Sequence, residues 1–449
     1  MTAEPTIAVG ILALPALDFE GDLDCAEPER SLRGPARATV SGTSIEIECG
    51  GKRSVHPSGL LLTPSDGGNS SFLIRGVTIG MKFHWERKED QRFTGALKLV
   101  AKGSDVVAIN VVPIEDYLAS VISSEMSAES SLNFLMAHAI TSRSWLMAQL
   151  ERSAVLKQGG KRYAATSRDH DRLIRWYDRE EHDLYDVCAD DHCQRYQGAT
   201  KSHTGAVGRA VAETRGQVVM YEGRICDARF SKSCGGITEP FRNVWQPVDV
   251  PYLVNVADIP PADRLPEYLP RPDVSREDLA ARWIGSSPAA FCNAADVRTL
   301  SRVLLNYDRE TTDFYRWKVE YTQEYIAPLI REKSGIDFGA ILDLTPVERG
   351  PSGRLTLLKI AGEKRTLTIG KELEIRRTLS PSHLYSSAFV VGKHDPGGNI
   401  PGKFVLTGAG WGHGVGLCQI GAAVMGDRGY SPEAILSHYF PGTSIATIW

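Results

Sequence analysis

Hydrophobic and polar residues alternate over the opening part of the chain in the manner of β-strands. Stretches rich in Val, Ile and Thr, such as 38–49, 71–83 and 95–112, are interrupted by Gly and Asp. Short runs with a period of two, bounded by turn residues, are typical of strands. The pattern therefore predicts a β-rich N-terminal portion over residues 1–110.

The hydrophobic period lengthens to that of an α-helix after residue 110. Pro113 is suited to the first helical position of a first helix. A second helix is predicted from about Ser130, a candidate N-cap, to about Arg152. Glu125 lies at the junction of this helical pair. The apolar residues that mark the first helix are Ile114, Leu118, Val121 and Ile122.

The rest of the chain mixes both periods. Residues 205–239 alternate like strands, and residues 338–377 resemble hairpins. Residues 275–331 have a mostly helical period, marked by Leu279, Trp283, Val303, Leu304 and Trp317. We therefore predict an α+β fold, in which a β-rich frame holds the helical pair. The predicted segments are 1–110, 111–270, 271–400 and 401–449.

Composition and charge restrict the possible classes of function. Of the 449 residues, 42% are hydrophobic and 24% are charged, as in soluble globular proteins. The net charge of −4 gives no basic field that would attract nucleic acid, so no nucleic-acid partner is expected. No stretch has the length and apolarity of a transmembrane segment. The first residues lack the pattern of an export signal, so either the protein stays inside the cell or a leader has been removed.

Histidines and cysteines cluster in one short interval of the chain. The spacing is His182-x5-Cys188-x3-His192-Cys193. Two imidazoles and two thiolates are a tetrahedral zinc set, and four protein ligands leave no open position, which predicts a structural zinc. The alternatives are a Cys188–Cys193 disulfide and unliganded side chains.

Several blocks of sequence together resemble the SpoIID/LytB family of bacterial cell-wall proteins. The helical pair resembles the family's first signature, in which a helix that ends in Glu-Met precedes a helix that contains an A-x-A-x-x-x-R-(S/T) pattern. The Gly-rich C-terminal loop resembles the second signature. A Ser-Cys-Gly-Gly turn lies between them, with Cys234 where the family often has serine. The blocks occur in the family's order at 110–126, 137–145, 230–238, 410–422 and 438–443.

This resemblance implies a role in the cell envelope. One branch of the family consists of lytic transglycosylases that prefer glycan strands stripped of their stem peptides, and the other branch enhances a wall amidase. It also implies that segment 111–270 is the catalytic core, that segment 401–449 completes it, and that the His/Cys cluster binds zinc. Peptidoglycan strands are the expected substrate, and a cell-wall amidase is a possible partner.

Glu125 is the candidate catalytic residue. A transglycosylase needs only one carboxylate, since the 6-hydroxyl of muramic acid attacks its own anomeric carbon. Glu125 would have to be partly desolvated for its pKa to rise toward neutral. The alternatives are an exposed glutamate at a helix end, and a non-catalytic protein that binds the wall and enhances an amidase. A zinc amidase fits poorly, because a catalytic zinc keeps a position for water.

Arg143 is a candidate for substrate binding. It shares the apolar face of the second helix, and an arginine on a buried face must find an acceptor. That acceptor could be Glu125 or a sugar oxygen. A structural ion pair with Glu115 or Asp116 is the alternative.

The Gly-rich loop and the Gly-Gly turn supply further candidates for a glycan-binding cleft shared with Glu125. A tryptophan face packs well on a sugar ring, and glycines allow a backbone to approach a ligand closely. The alternative is that both segments are ordinary turns, and Cys234 could pair with Cys226. The candidate residues are Ser233, Gly235, Gly236, Trp411, His413 and Gln419.

Overall fold

The protein folds into two compact units in a computed structural model. The described residues are 3–25, 30–67, 70–81, 86–158, 165–177, 182–190, 192–201, 204–261, 263–294 and 297–449. The first unit comprises residues 1–146, 179–218 and 447–449, and the second comprises 147–178 and 219–446. The four segments predicted from the sequence stay a prediction.

Strands dominate the described residues. In chain order they are β1 (Thr6–Leu14), β2 (Ala16–Cys25), β3 (Arg30–Ser41), β4 (Ser44–Cys49), β5 (Lys52–His56), β6 (Leu60–Pro64), β7 (Phe72–Ile79), β8 (Arg87–Phe93), β9 (Ala96–Lys102), β10 (Asp105–Pro113), β11 (Thr166–Arg168), β12 (Arg172–Arg175), β13 (Val187–Cys188), β14 (Gln217–Tyr221), β15 (Arg224–Ile225), β16 (Phe230–Ser231), β17 (Arg316–Thr322), β18 (Ile341–Arg349), β19 (Leu355–Gly362), β20 (Thr366–Gly370), β21 (Phe389–Gly397), β22 (Ile400–Ala409), β23 (Leu417–Cys418) and β24 (Ser444–Thr447).

The helices are fewer and mostly short. They are α1 (Ile114–Glu125), α2 (Leu132–Lys157), α3 (Gly205–Glu213), α4 (Glu277–Ile284), α5 (Val297–Val303), α6 (Gln323–Ser334), α7 (Glu372–Thr378), α8 (Gln419–Asp427) and α9 (Pro432–Tyr439), with 3-10 turns at Gly198–Thr200, Phe241–Asn243 and Asn306–Glu310. Among the described residues, no helix combines the length and the apolarity that crossing a membrane requires.

The first unit is built on one large, mostly antiparallel sheet. Its strand order is β13-β1-β10-β9-β6-β2-β3-β4-β5, with β7 joining β2 to β8. In β1, Ile7 and Val9 are buried at 1% and 0% exposure, as the alternation of apolar residues requires. The predicted α+β class is therefore confirmed.

The predicted helical pair is present as α1 and α2. Pro113 precedes the first residue of α1, and Leu118 and Val121 are completely buried on its apolar face. The second helix begins one residue later than expected. Its cap is Ser131 rather than Ser130, since the Ser131 hydroxyl accepts a hydrogen bond from the backbone N–H of Phe134 at 3.4 Å.

The second unit combines smaller sheets with the remaining helices. One sheet has the order β11-β12-β20-β19-β18, and another has the order β17-β22-β21. Side chains from both meet in an apolar core that includes Leu358, Phe389 and Leu406. The sheets thus form the frame on which the Gly-rich loop is held after β22.

Two predicted elements are wrong. Trp317 belongs to strand β17 and not to a helix, because Trp317 and Tyr321 are buried while Lys318 is exposed, which is the period of a strand. Residues 205–213, predicted as strand, form α3. Its N-cap is Thr204, whose hydroxyl accepts from the backbone N–H of Val207 at 3.3 Å.

Candidate functional site

Glu125 is the last residue of α1 and is sheltered from solvent. Its exposure is 7%, and the following residue, Met126, is completely buried. The backbone N–H of Arg195 donates to Oε1 of Glu125 at 3.0 Å. A main-chain donor fixes the orientation of the carboxyl group more firmly than a mobile side chain would. The exposed helix-end alternative for Glu125 is therefore wrong.

Arg143 forms a buried ion pair with Glu115. Its Nε donates to Oε1 of Glu115 at 3.1 Å and its Nη2 donates to Oε2, while Nη1 donates to the carbonyl of Gln217 at 3.0 Å. Glu115 also accepts from the backbone of Gly216 at 3.0 Å and from the indole of Trp449 at 3.1 Å. Burial lowers the pKa of Arg143, and the pairing with Glu115 opposes that shift. Arg143 has no exposed surface to offer a sugar, so its structural alternative holds.

The predicted His/Cys cluster comes together in the first unit. One ligand atom from each of His182, Cys188, His192 and Cys193 lies within 4.8 Å of the others. The Cys193 sulfur is 3.5 Å from Nε2 of His182 and 3.6 Å from Nδ1 of His192, and the Cys188 sulfur is 3.8 Å from the same nitrogen. Both sulfurs are thiols, so the disulfide alternative is wrong. This donor set could hold a metal ion.

The cluster also favours the thiolate form that a metal requires. Hydrogen bonding to Cys193, and to His182 and His192, lowers the pKa of Cys188 and outweighs the opposing effect of burial. The backbone N–H of Cys188 donates to the Cys193 sulfur at 3.4 Å. Imidazole nitrogens and sulfurs thus converge on one point.

The residues that follow the cluster run along α1 and were missed by the sequence analysis. The hydroxyl of Tyr117 donates to Oε1 of Gln194 at 3.1 Å, and the side-chain amide of Gln194 donates to the Ser142 carbonyl at 3.3 Å. The backbone of Gln197 donates to the hydroxyl of Ser120 at 3.1 Å. Together with the Arg195 contact, these bonds fasten the segment after Cys193 beside Glu125. Their only signal in the sequence was adjacency to the cluster.

The Gly-Gly turn of the second unit is buried. Ser233 is completely buried, and the carbonyl of Gly235 accepts from the indole of Trp283 at 3.2 Å and from Nη1 of Arg316 at 3.1 Å. A side chain at Gly235, whose φ is 78°, would lie 2.9 Å from the backbone of Gly410. These contacts favour the ordinary-turn alternative for Ser233, Gly235 and Gly236. Gln419 is also buried, at 2% exposure.

Trp411 and His413 of the Gly-rich loop are partly exposed. The predicted closeness of Ser233 and Trp411 is present, because their backbones exchange hydrogen bonds of 3.0 and 2.8 Å. The Trp411 ring contacts those of Tyr385 and Phe314, at centroid distances of 4.3 and 4.7 Å. This arrangement leaves Trp411 as an anchored aromatic surface in the second unit.

The imidazole of His413 is held neutral. Burial and the positive charges of Arg229, Arg354 and Arg376 lower its pKa well below the usual value. Its Nδ1 accepts from the backbone N–H of Val415 at 3.0 Å, which leaves Nε2 to carry the proton. The His413 imidazole therefore carries no charge at neutral pH, and its acceptor nitrogen is already used by Val415.

Cys234 does not pair with Cys226. Its sulfur lies 3.7 Å from that of Cys292, and its backbone N–H donates to the sulfur of Cys418 at 3.2 Å. Cys226 has separate surroundings beside Tyr252, and burial raises its pKa to about 12. The pairing considered from the sequence is therefore wrong.

Comparison with known proteins gives two family matches in this chain. Residues 102–221 match a family described as Stage II sporulation protein, and residues 239–416 match a domain of unknown function, DUF8618. The first match includes Glu125, Arg143 and the His/Cys cluster. The Gly-rich loop lies at the end of the second.

Individual relatives have low identity but long alignments. An uncharacterized protein of Brachyspira hyodysenteriae is 27% identical over 354 residues, which cover 79% of this chain and 72% of that protein. Stage II sporulation protein D of Bacillus amyloliquefaciens is 23% identical over 340 residues, or 76% of each chain. The amidase enhancer of Bacillus subtilis is 24% identical over 250 residues, which cover 53% of this chain and 32% of that protein.

Proposed function

Because this chain belongs to the SpoIID/LytB family, we propose that it acts on the bacterial cell wall as a lytic transglycosylase. Its substrate is the glycan strand of peptidoglycan, stripped of stem peptides, and its site of action is the cell envelope. The relatives named for sporulation and for amidase enhancement support a role of this chain at the cell wall.

In the proposed reaction Glu125 acts first as an acid and then as a base. Its proton goes to the bridging oxygen of the β-1,4 bond, and the N-acetylglucosamine leaves with a free 4-hydroxyl. The 6-hydroxyl of N-acetylmuramic acid attacks the anomeric carbon of the same sugar and gives its proton to the Glu125 carboxylate. One C–O bond breaks and one forms, no water is consumed, and the product ends in 1,6-anhydromuramic acid.

The observation that carries the proposal is the buried and oriented carboxyl group of Glu125, which lies at the opposite end of α1 from Glu115. Glu115, at the start of α1, is occupied by Arg143, Gly216 and Trp449. Glu125, at the end of α1, is sheltered at 7% exposure, and its Oε1 accepts from the backbone N–H of Arg195 at 3.0 Å. A catalytic acid needs this combination of shelter and fixed orientation.

We further propose that the His/Cys cluster holds a structural zinc ion. Two thiolates and two imidazoles saturate a tetrahedral ion, so when bound it supplies rigidity and no reactive water. The protein residues then do the rest. Gln194, Arg195 and Gln197 follow the cluster and bond to α1, which keeps Glu125 oriented. For sugar contact, Trp411 and His413 of the second unit remain the candidates.

Product analysis tests the reaction. Purified glycan strands without peptides are incubated with the protein, and the released fragments are identified by mass spectrometry before and after borohydride reduction. Anhydro ends lack a reducing group and resist borohydride, so unchanged masses are expected. Fragments that gain the mass of two hydrogens would identify a hydrolase and contradict the proposal.

The second candidate function is enhancement of an amidase without catalysis, which the amidase-enhancer relative favours. The alignment covers only 32% of that relative, so a partner of the whole relative cannot be assigned to this chain directly. A purified wall amidase, assayed with and without this protein, tests the idea. Enhancement that persists in Glu125→Gln, with no glycan cleavage by the unaltered chain, would favour this second function.

A further inference from the structure

Four potential metal ligands converge in the interior of the second unit. They come from separate parts of the chain, and Cys234 is 58 residues from Cys292 and 184 residues from Cys418. Their exposures range from 0% to 2%, and one ligand atom from each lies within 4.8 Å of the others. The group consists of Cys234, Asp258, Cys292 and Cys418.

The spacing of the sulfurs fits one shared ion. Sulfurs bound to a tetrahedral zinc at about 2.3 Å are about 3.8 Å apart. The sulfurs of Cys234 and Cys292 are 3.7 Å apart. A disulfide bond is much shorter, at about 2.05 Å. The two thiols are thus already at the separation that coordination requires.

The surroundings orient the ligand atoms as an outer shell does. The backbone N–H of Cys234 donates to the Cys418 sulfur at 3.2 Å, and that of Cys292 donates to Oδ2 of Asp258 at 2.8 Å. The hydroxyl of Tyr439 donates to Oδ1 of Asp258 at 2.6 Å. Donors of this kind hold charged ligands in place around a metal ion.

Positive charges lie beside the ligands and offset their negative charge. Nη1 of Arg354 donates to the carbonyl of Cys234 at 3.0 Å, and Nη1 of Arg316 donates to the carbonyl of Gly235 at 3.1 Å. Arg354 is almost completely buried. Three thiolates and a carboxylate around a divalent ion leave excess negative charge, and burying such charge without partners is costly. The two guanidinium groups reduce that cost.

We propose that Cys234, Asp258, Cys292 and Cys418 form a second metal site, which binds a soft divalent cation with zinc as the expected ion. A set with three sulfurs selects zinc over the oxygen-preferring magnesium and calcium. Four protein ligands and complete burial leave no position for substrate, so the site is structural. The ion ties the Gly-Gly turn to the start of α8, within the second unit.

Metal content of the full chain tests the proposal. In a Cys188→Ser, Cys193→Ser double variant the first cluster is disabled, so about one zinc per chain should remain. Further replacement of Cys292 and Cys418 by serine should remove that zinc. Cys226→Ser is the matched control, since Cys226 is a buried cysteine of the same unit outside the group, and it should leave the zinc in place.

Two measurements keep the proposal open to refutation if the cysteine variants do not fold. The unaltered chain should contain about two zinc ions, and its cobalt-substituted form should show the charge-transfer absorption of thiolate ligands. Zinc-free Cys188→Ser, Cys193→Ser protein that takes up no added zinc would overturn the proposal. So would non-reducing mass analysis that finds Cys234 and Cys292 joined as a disulfide.

Discussion

Arg195 donates its backbone N–H to the carboxyl group of Glu125 across 3.0 Å, and it does so two residues after Cys193. Cys193 is the last ligand of the His/Cys cluster. Only two residues of chain therefore join the cluster to the backbone N–H that contacts Glu125. Rigidity at Cys193 is transmitted to Arg195 through the backbone. The cluster and Glu125 thus belong to one local structure in the first unit.

Loss of the cluster should accordingly reduce activity as well as stability. Cys193→Ser removes a ligand, so the segment that follows loses its anchor and Arg195 no longer fixes Glu125. We expect glycan cleavage to fall by at least about tenfold, the loss typical when an orienting partner of a site is removed. The melting temperature should fall too, since metal binding contributes to folding. Cleavage rates and thermal scans measure both.

The control for this change is Cys49→Ser. Cys49 is a partly exposed cysteine in β4 of the same unit, and its replacement should leave the zinc content, activity and melting temperature unchanged. If Cys193→Ser protein has lost its metal but still cleaves glycan at the normal rate, the cluster is not needed to position Glu125 and the prediction is wrong.

Replacement of Glu125 by glutamine should abolish turnover and leave the fold intact. Glutamine keeps the shape of the side chain and can still accept from Arg195, but it cannot donate and take back a proton. General acid–base groups contribute about 10²- to 10⁴-fold, so the cleavage rate should fall by at least about 100-fold. Glu129→Gln is the matched control, because Glu129 is an exposed glutamate four residues further along. Equal rates for the two variants would exclude Glu125 as the acid.

Much of the first unit was predictable because its signals are local. The strand alternation of β1 and the helical period of α1 extend over a few residues each, and the Pro113 signal stands next to the helix it precedes. The His/Cys ligands lie within twelve positions, so their convergence needs only a compact loop. Short-range patterns of this kind can be recognised without knowing the rest of the fold.

The second unit was less predictable because its contacts are long-range. Cys234 meets Cys292 and Cys418 across 58 and 184 residues of chain, and no spacing in the sequence indicates these contacts. Trp317 was predicted to be helical because a single apolar residue is compatible with both the helical and the strand period. In the structure its segment pairs with β22, and this pairing makes it a strand. The partner of Arg143 was left open for the same reason, as Glu115 lies 28 residues away.

Breaking the Arg143–Glu115 pair should destabilise the protein strongly. Arg143→Met would leave the Glu115 carboxylate buried without its cation, at a cost of about 3–5 kcal/mol in the free energy of unfolding. Denaturant unfolding measures this. Arg209→Ala is the control, because Arg209 and Glu213 form an exposed ion pair on α3, worth at most about 1 kcal/mol. A loss for Arg143→Met no larger than that of the control would show that the buried pair contributes little.

The stability of the protein should decrease at mildly acidic pH, in part through His438. Burial lowers the pKa of His438 from 6.5 to about 4. Between these values the unfolded chain binds a proton that the folded protein does not, so the contribution of His438 is complete above pH 6.5 and is lost as the pH falls to about 4. The loss amounts to at most about 3 kcal/mol. Unfolding free energies measured from pH 7 to pH 4 should therefore fall more steeply for the unaltered chain than for His438→Asn.

The control is His170→Asn, which changes an exposed histidine and should follow the unaltered chain. Parallel curves for all three proteins would refute the role of His438.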